Sequence, residues 1–247
     1  MISKNQLKLI HALEQKKQRK KHGLFLVQGE KNVGELFNSG FTVQQLFATS
    51  HYINKNNKAL AEQGLVGITV EATEDELKKA GTLLSNNSVL AVVECQTMPV
   101  PQIQTNELIL LLDQVGDPGN LGTIIRVADW YGIKHIICSE DCADFYNPKV
   151  IAASMGSFAR VQVSHTNLSE YLSKQSAAIY GAFLEGENIH KAALNDTAFI
   201  VMGSESHGIS PEVAKFINHK ITIPSFGEAE SLNVAMATGI ILDNFKR

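Results

Sequence analysis

The apolar residues of this chain come in short unbroken runs separated by amphipathic stretches, the rhythm of an α/β protein whose strands are buried on both faces. In the first part the pattern predicts a basic helix over about 3–20, a strand at LFLV, a helix from Glu30 to Asn38 and a strand at VQQLFAT. A helix through KALAEQG, a short strand GITV, a helix TEDELKKAG and a strand SVLAVVE follow. The segment MPVPQIQTNE, residues 98–107, then brings two prolines and no apolar periodicity. The expected organisation is therefore a domain over 1–98, a linker over 99–106 and a second domain over 107–247.

Beyond the linker the strands ELILLL, KHIICS, ARVQVS, AAIYGAFL, AFIVMG and KITIPS alternate with helices expected near 121–131, 147–155, 168–175, 211–218 and 231–245. Such alternation predicts a parallel sheet with helices on both faces. Ile124, Val127, Ala128 and Tyr131 form the buried stripe expected of the first helix, and Gly132 is its natural stop. The last helix is apolar almost all round and carries the small residues Ala235, Ala237 and Gly239, so it must be buried in the core or against another subunit.

Composition narrows the class. With 247 residues, 44% hydrophobic and 19% charged, the chain has the balance of a soluble globular protein. No apolar run reaches the ~20 residues of a membrane span. The N-terminus lacks the apolar core and cleavage site of a secretory signal, so a cytoplasmic location is expected. Cys95, Cys138 and Cys142 are an odd number without CxxC spacing, which argues for free thiols and against a metal site. The net charge of -3 hides a polarity: eight of the 22 basic residues, including Lys16, Lys17, Arg19, Lys20 and Lys21, fall in the first 31 positions. The stretch QKKQRKKHG is a candidate phosphate-contacting patch, or a solvated helix end whose cations suit the dipole.

Ligands of parallel α/β sheets bind beyond the carboxyl ends of strands, and three strand exits stand out here. At DQVGDPGNLGTIIRVADW, Asn120 is read as the helix N-cap, and Arg126 lies off the buried stripe, suited to gripping a phosphate or to pairing with Asp129. At VMGSESHGISP, Gly208 permits a left-handed turn and Ser210-Pro211 opens a helix. Too few glycines for a dinucleotide loop and no P-loop lysine are present there, and Ser206 with His207 does not make a nucleophile elbow. At IPSFGEAESLNVAMATG, Ser231 is a candidate cap for the last helix, with Asn233 beside it.

Taken together, NLGTIIRVADWYGI, VMGSESHGIS and IPSFGEAESLNVAMATGIIL resemble the three signature motifs of the SpoU (TrmH) family of RNA ribose 2'-O-methyltransferases, of the SPOUT class. The likeness spans about residues 107–247 and includes NPKVIAASMGSFARVQV, although Ala152 stands where a basic or polar residue is expected. The first half, with LFLVQGEKNVGEL, more loosely resembles the ribosomal-protein-like substrate-binding domain that many members carry. The resemblance implies a deep C-terminal trefoil knot, a rare exception to chain topology, and a homodimer packed through it. It implies S-adenosylmethionine as methyl donor, with no metal, held by Met202, Gly203, Gly208, Ile223, Ser225 and Leu232. Asn120, Arg126, Glu205, Ser231 and Asn233 match the polar active-site set, with Arg126 also on RNA.

A guanidinium hardly ever loses its proton in a protein, so Arg126 is expected to clamp a phosphate and polarise the ribose hydroxyl, with Ser231 or a water assisting proton removal. Glu205 is expected to orient its loop and Asn120. Ribosomal RNA is the expected substrate; transfer RNA, or a non-catalytic RNA-binding role for the same fold, are the alternatives.

Overall fold

The computed structural model describes residues 1–82 and 88–247, which fall into two compact units, Met1–Gln96 with Asp144–Ala159, and Thr97–Ala143 with Arg160–Arg247.

The first unit begins with two helices, α1 (Lys4–Ala12) and α2 (Lys16–His22), where the sequence pattern suggests one. The break falls at Leu13, which is fully buried and turns the chain. There follow β1 (Leu24–Gln28), α3 (Glu30–Leu36), β2 (Val43–Ala48), α4 (Ser50–Lys55), α5 (Asn57–Glu62), β3 (Thr69–Glu71), α6 (Glu74–Ala80) and β4 (Val89–Glu94). Helix α4 is not signalled by apolar periodicity; it is nucleated by Thr49, whose hydroxyl accepts from the Tyr52 N–H. The sheet order is β1-β4-β2-β3, with β4 antiparallel to both neighbours and β2 parallel to β3. Ile10, Leu13, Leu26, Phe47, Leu77, Leu90 and Val92 form a core on one face.

The second unit supplies β5 (Leu108–Leu112), α7 (Pro118–Trp130) and β6 (His135–Cys138); α8 (Pro148–Ser154) intervenes before β7 (Gln162–His165). After these come α9 (Leu168–Leu172), β8 (Ala178–Asn188), β9 (Ala198–Met202), α10 (Pro211–Ala214), β10 (His219–Thr222) and α11 (Val234–Phe245). All six strands are parallel in the order β10-β8-β9-β5-β6-β7, as the alternation predicts. Strands β5 and β9 are buried at every residue, which is why they read as pure apolar runs. Ile109, Leu111, Phe199 and Val201 face a cluster with Leu168, Leu172 and Val213 of α9 and α10. On the other face Tyr180 meets Phe245 of α11 edge-on. The chain leaves β5 toward β6 and β7, and leaves β9 toward β10 on the opposite side, so the connections diverge at the carboxyl ends of two neighbouring strands.

Segment Asp144–Ala159, α8 included, packs with the first unit although it lies between two strands of the second sheet. Phe25 of β1 contacts Tyr146 and Phe158, the Tyr146 hydroxyl donates to the Gln96 carbonyl (2.7 Å), and α8 contacts β1. The first unit is therefore not completed by residues 1–98 alone.

Candidate active site

At the β5 exit, Asp113 is 2% exposed; its N–H continues the ladder to the Met202 carbonyl, and its carboxylate accepts from Ser210 N–H at 2.7 Å. It thereby ties the β5 exit to the start of α10. Gln114, not one of the glycines of this turn, takes the left-handed conformation (φ 58), and its N–H donates to Ser139 Oγ. Helix α7 starts earlier than expected: Asp117 is the N-cap, accepting from Asn120 N–H, and Pro118 holds the first helical position. Asn120 is thus not the cap but lies inside the first turn, which frees its amide for other work.

Asn233, rather than Ser231, caps α11: its Oδ1 accepts from Ala235 N–H (3.0 Å) and Met236 N–H (3.4 Å). That leaves Asn233 Nδ2 as donor, and it donates to Asn120 Oδ1 at 2.9 Å. Asn120 Nδ2 then donates to Glu205 Oε1. The helix N–H groups thus fix the sense of both amides, and Glu205 can only accept. One directional chain joins the exits of β5, β9 and β10, and the three residues expected to share a site, Asn120, Glu205 and Asn233, are brought together by it.

Helices α7 and α11 run side by side in the same direction. Asn120 bonds Asn233 at their starts, Tyr131 hydroxyl meets Asp243 at their ends, and Val127 lies against Gly239 between. Both positive dipole ends therefore point at the same exits. Arg126 projects from α7 exposed and makes no ion pair among the described residues. Its alternative partner Asp129 is gripped by Arg160 at 2.8 Å. The buried stripe of α7 is Leu121, Gly122, Ile124, Ile125 and Ala128, with Val127 and Tyr131 only half-buried.

At the β9 exit, Ser204 and Gly208 exchange both backbone hydrogen bonds, folding the loop back over Gly203. A Cβ on Gly203 would overlap the Gly208 carbonyl and the Ile209 nitrogen, so only glycine fits, and Gly208 itself is left-handed (φ +67). Met202 is buried beneath, while Ser206 and His207 are exposed. After β10, residues 223–232 make no backbone–backbone hydrogen bond among the described residues. Ile223 is half-buried there, Ser225, Ser231 and Leu232 are exposed, and Ser225 Oγ closes a small turn with Gly227. Backbone groups without main-chain partners among the described residues, beside apolar side chains, suit an adenosine-bearing ligand held by main-chain contacts. Two cavities, about 720 and 340 Å³, lie elsewhere, the first among Glu30, His51 and Glu71 and the second among Asp129, His135 and Arg160. Among the described residues no three His, Cys, Asp or Glu side chains gather around a common point.

In the first unit Lys16, Lys17, Lys20 and Lys21 are exposed on α2. Arg19 is not: it is 3% exposed and hydrogen-bonded to Asp144, which removes it from the expected phosphate contacts. Two positions of the site escape a reading of the sequence as motifs, Asp113 and Asp117. The second had a local signal, an acid directly before a proline that opens a helix.

Residues 107–243 match the model of the SpoU rRNA Methylase family, and residues 4–91 match an MRM3-like substrate binding domain. The chain is 30% identical over 234 residues to 23S rRNA (guanosine(2553)-2'-O)-methyltransferase RlmP of Bacillus subtilis, covering 93% of this chain and 91% of that protein. A TrmH-family protein from Porphyromonas gingivalis, described as a candidate RNA methyltransferase, superposes with a TM-score of 0.86 at 37% identity, over 100% of this chain and 98% of that one. An AdoMet-bound rRNA methyltransferase from Sinorhizobium meliloti gives 0.88 at 27% identity, over 99% and 96%. The chain belongs to the SpoU rRNA Methylase family.

Proposed function

We propose that this protein transfers a methyl group from S-adenosylmethionine to a ribose 2'-hydroxyl of RNA, with ribosomal RNA as substrate. The observation that carries this reading is the directional chain Asn233–Asn120–Glu205 across three strand exits, with an exposed Arg126, without an ion pair among the described residues, on the same helix as Asn120. The activity of the Bacillus subtilis relative on 23S rRNA and the AdoMet-bound Sinorhizobium meliloti structure support the substrate and the donor.

The donor, when bound, supplies an electrophilic methyl on a sulfonium. The loops of Met202, Gly203 and Gly208, and of Ile223, Ser225 and Leu232, hold it through main-chain groups and apolar contact. Arg126 grips the phosphate next to the target ribose with its planar fork and polarises the hydroxyl, aligning it for in-line displacement. A guanidinium is not a base, so Ser231 Oγ or a water assists removal of the hydroxyl proton, which passes on to solvent. Glu205, already accepting from Asn120, orients that amide rather than removing a proton. In the first unit the exposed Lys16, Lys17, Lys20 and Lys21 contact the RNA backbone.

The working form in this reading is a homodimer, with the trefoil knot of the SPOUT class, in the cytoplasm. The exposed Trp130 (85%) and Met236 (63%) on the paired helices α7 and α11 support a protein partner at that face. No helix among the described residues is long and apolar enough to cross a membrane.

The test is transfer of tritiated methyl from S-adenosylmethionine to unmodified ribosomal RNA, followed by alkaline hydrolysis. Label is expected in hydrolysis-resistant dinucleotides, since a 2'-O-methyl blocks cleavage. Label on bases, or none in RNA, overturns the reading.

A further inference from the structure

Helix α2 is a segment that should not be stable by itself. Its seven residues, KKQRKKH, contain no acid, and its N-cap Gln15 makes no side-chain bond. Lys16 and Lys17 stand at the positive end of the helix dipole, and the pairs Lys16/Lys20 and Lys17/Lys21 repel across one turn. A helix this short is marginal even with a favourable sequence.

What holds it is Arg19. Its Nη1 donates to the carbonyls of Leu13 (2.9 Å) and Glu14 (2.7 Å), at the corner between α1 and α2. Its Nε (3.1 Å) and Nη2 donate to Asp144 Oδ2. The rigid fork satisfies two main-chain acceptors and a carboxylate at once, which a lysine cannot do. Gly23 closes the other end in a left-handed turn, its N–H donating to the Arg19 carbonyl.

At about 100° per residue the four lysines cover about 140° of the helix surface, with Arg19 outside that arc. All four are exposed and none makes an ion pair among the described residues. From this we infer that the Arg19–Asp144 pair is a lock that presents Lys16, Lys17, Lys20 and Lys21 as a preformed comb to the RNA phosphate backbone. Arg19 and Asp144 are positioning residues for substrate binding, out of contact with RNA themselves. The inference rests on the reading of the protein as an RNA methyltransferase and adds to it how the substrate is gripped. A basic segment that ordered only on binding would lose affinity to that ordering; the lock meets the cost during folding.

The experiment measures affinity of the full-length protein for in vitro transcribed 23S rRNA between 50 and 200 mM salt, about the range over which phosphate contacts are lost. Replacing the four lysines by Gln should lower the salt slope by about 3, at 0.7–0.9 per phosphate contact. Arg19→Lys and Asp144→Asn remove no positive charge, yet each is expected to lower the slope by more than about 1 and the affinity about tenfold. Asp144→Glu should recover most of the loss, and S-adenosylmethionine affinity should stay unchanged in every variant. A wild-type slope in Arg19→Lys and Asp144→Asn, or in the four-lysine variant, overturns the proposal. Failure of the wild type to methylate any RNA would instead remove the enzyme reading while leaving the salt slopes measurable.

Discussion

Asn233→Asp separates two jobs that one side chain performs. The carboxylate keeps the cap of α11, because Asp accepts from Ala235 and Met236 N–H as well as Asn does and its charge suits the helix N-terminus. What disappears is the donor toward Asn120 Oδ1. Asn120 can then turn its amide to donate to the new carboxylate, but its oxygen would face Glu205, acceptor against acceptor. Alternatively it keeps Glu205 and its oxygen faces the new carboxylate. Either way one hydrogen bond of the chain is lost, and the Asn120 amide oxygen is left facing a carboxylate. One such bond contributes about 0.5–1.5 kcal/mol, roughly 2- to 13-fold in rate. The assay pairs methyl transfer at saturating donor with thermal unfolding. The midpoint should hold within about 2 °C, because the cap survives, while the rate falls. A second substitution, Glu205→Gln, lets the chain run in reverse: the introduced side-chain amide donates to Asn120, and Asn120 donates to the introduced carboxylate. The double variant should therefore be faster than Asn233→Asp alone, a coupling read directly from the cycle. Full activity in Asn233→Asp, or strict additivity in the double variant, would refute the argument that amide direction matters.

Arg126→Lys keeps the charge and removes the fork, so RNA methylation should fall at least about tenfold with donor affinity unchanged; full activity at neutral pH rules out any role needing planar geometry. Gly203→Ala puts a methyl group against the backbone of Gly208 and Ile209, which no rotamer change relieves, so calorimetry should show loss of S-adenosylmethionine binding. A fragment of Met1–Gln96 lacks Asp144, Tyr146 and Phe158, leaving Arg19 unpaired and Phe25 uncovered. It should show no near-ultraviolet dichroism, and a cooperative, well-dispersed fragment would contradict this. The Cys142 thiol is pulled down to about 7 by a hydrogen bond from Cys138, whose own pKa is pushed well above the usual thiol value by that same bond and by burial. Between pH 7 and the unfolded thiol value near ~8.5 the unfolded chain holds more protons, so stability rises with pH; above it two unfolded thiols ionise against one native, and stability falls. Cys142→Ser should flatten this maximum in denaturant titrations across pH.

The strands of the second sheet were legible because burial on both faces leaves no polar position, so LILLL and AFIVM announce themselves. The three strand exits were legible too, since turn and cap residues act over a few positions. Even locally the reading could slip: Asn120 and Ser231 look like caps, but Asp117 and Asn233 hold the helix starts. The Asp117-Pro118 pair was the stronger signal. Arg19 shows a different limit. A cluster of charges counts it with its neighbours, whereas the fold buries it against a carboxylate 125 positions away.

Local pattern was thus enough for the α/β class, the parallel sheet and the set of residues at its carboxyl edge, because periodicity and turn chemistry act over a few neighbouring positions. Packing of distant segments was needed to make Asn233, Asn120 and Glu205 one directed chain, to let Asp113 tie two exits together, and to bring segment Asp144–Ala159 into the first unit. Hydrogen-bond direction and burial depend on partners that meet only when those segments pack, and no local pattern encodes which groups they will be.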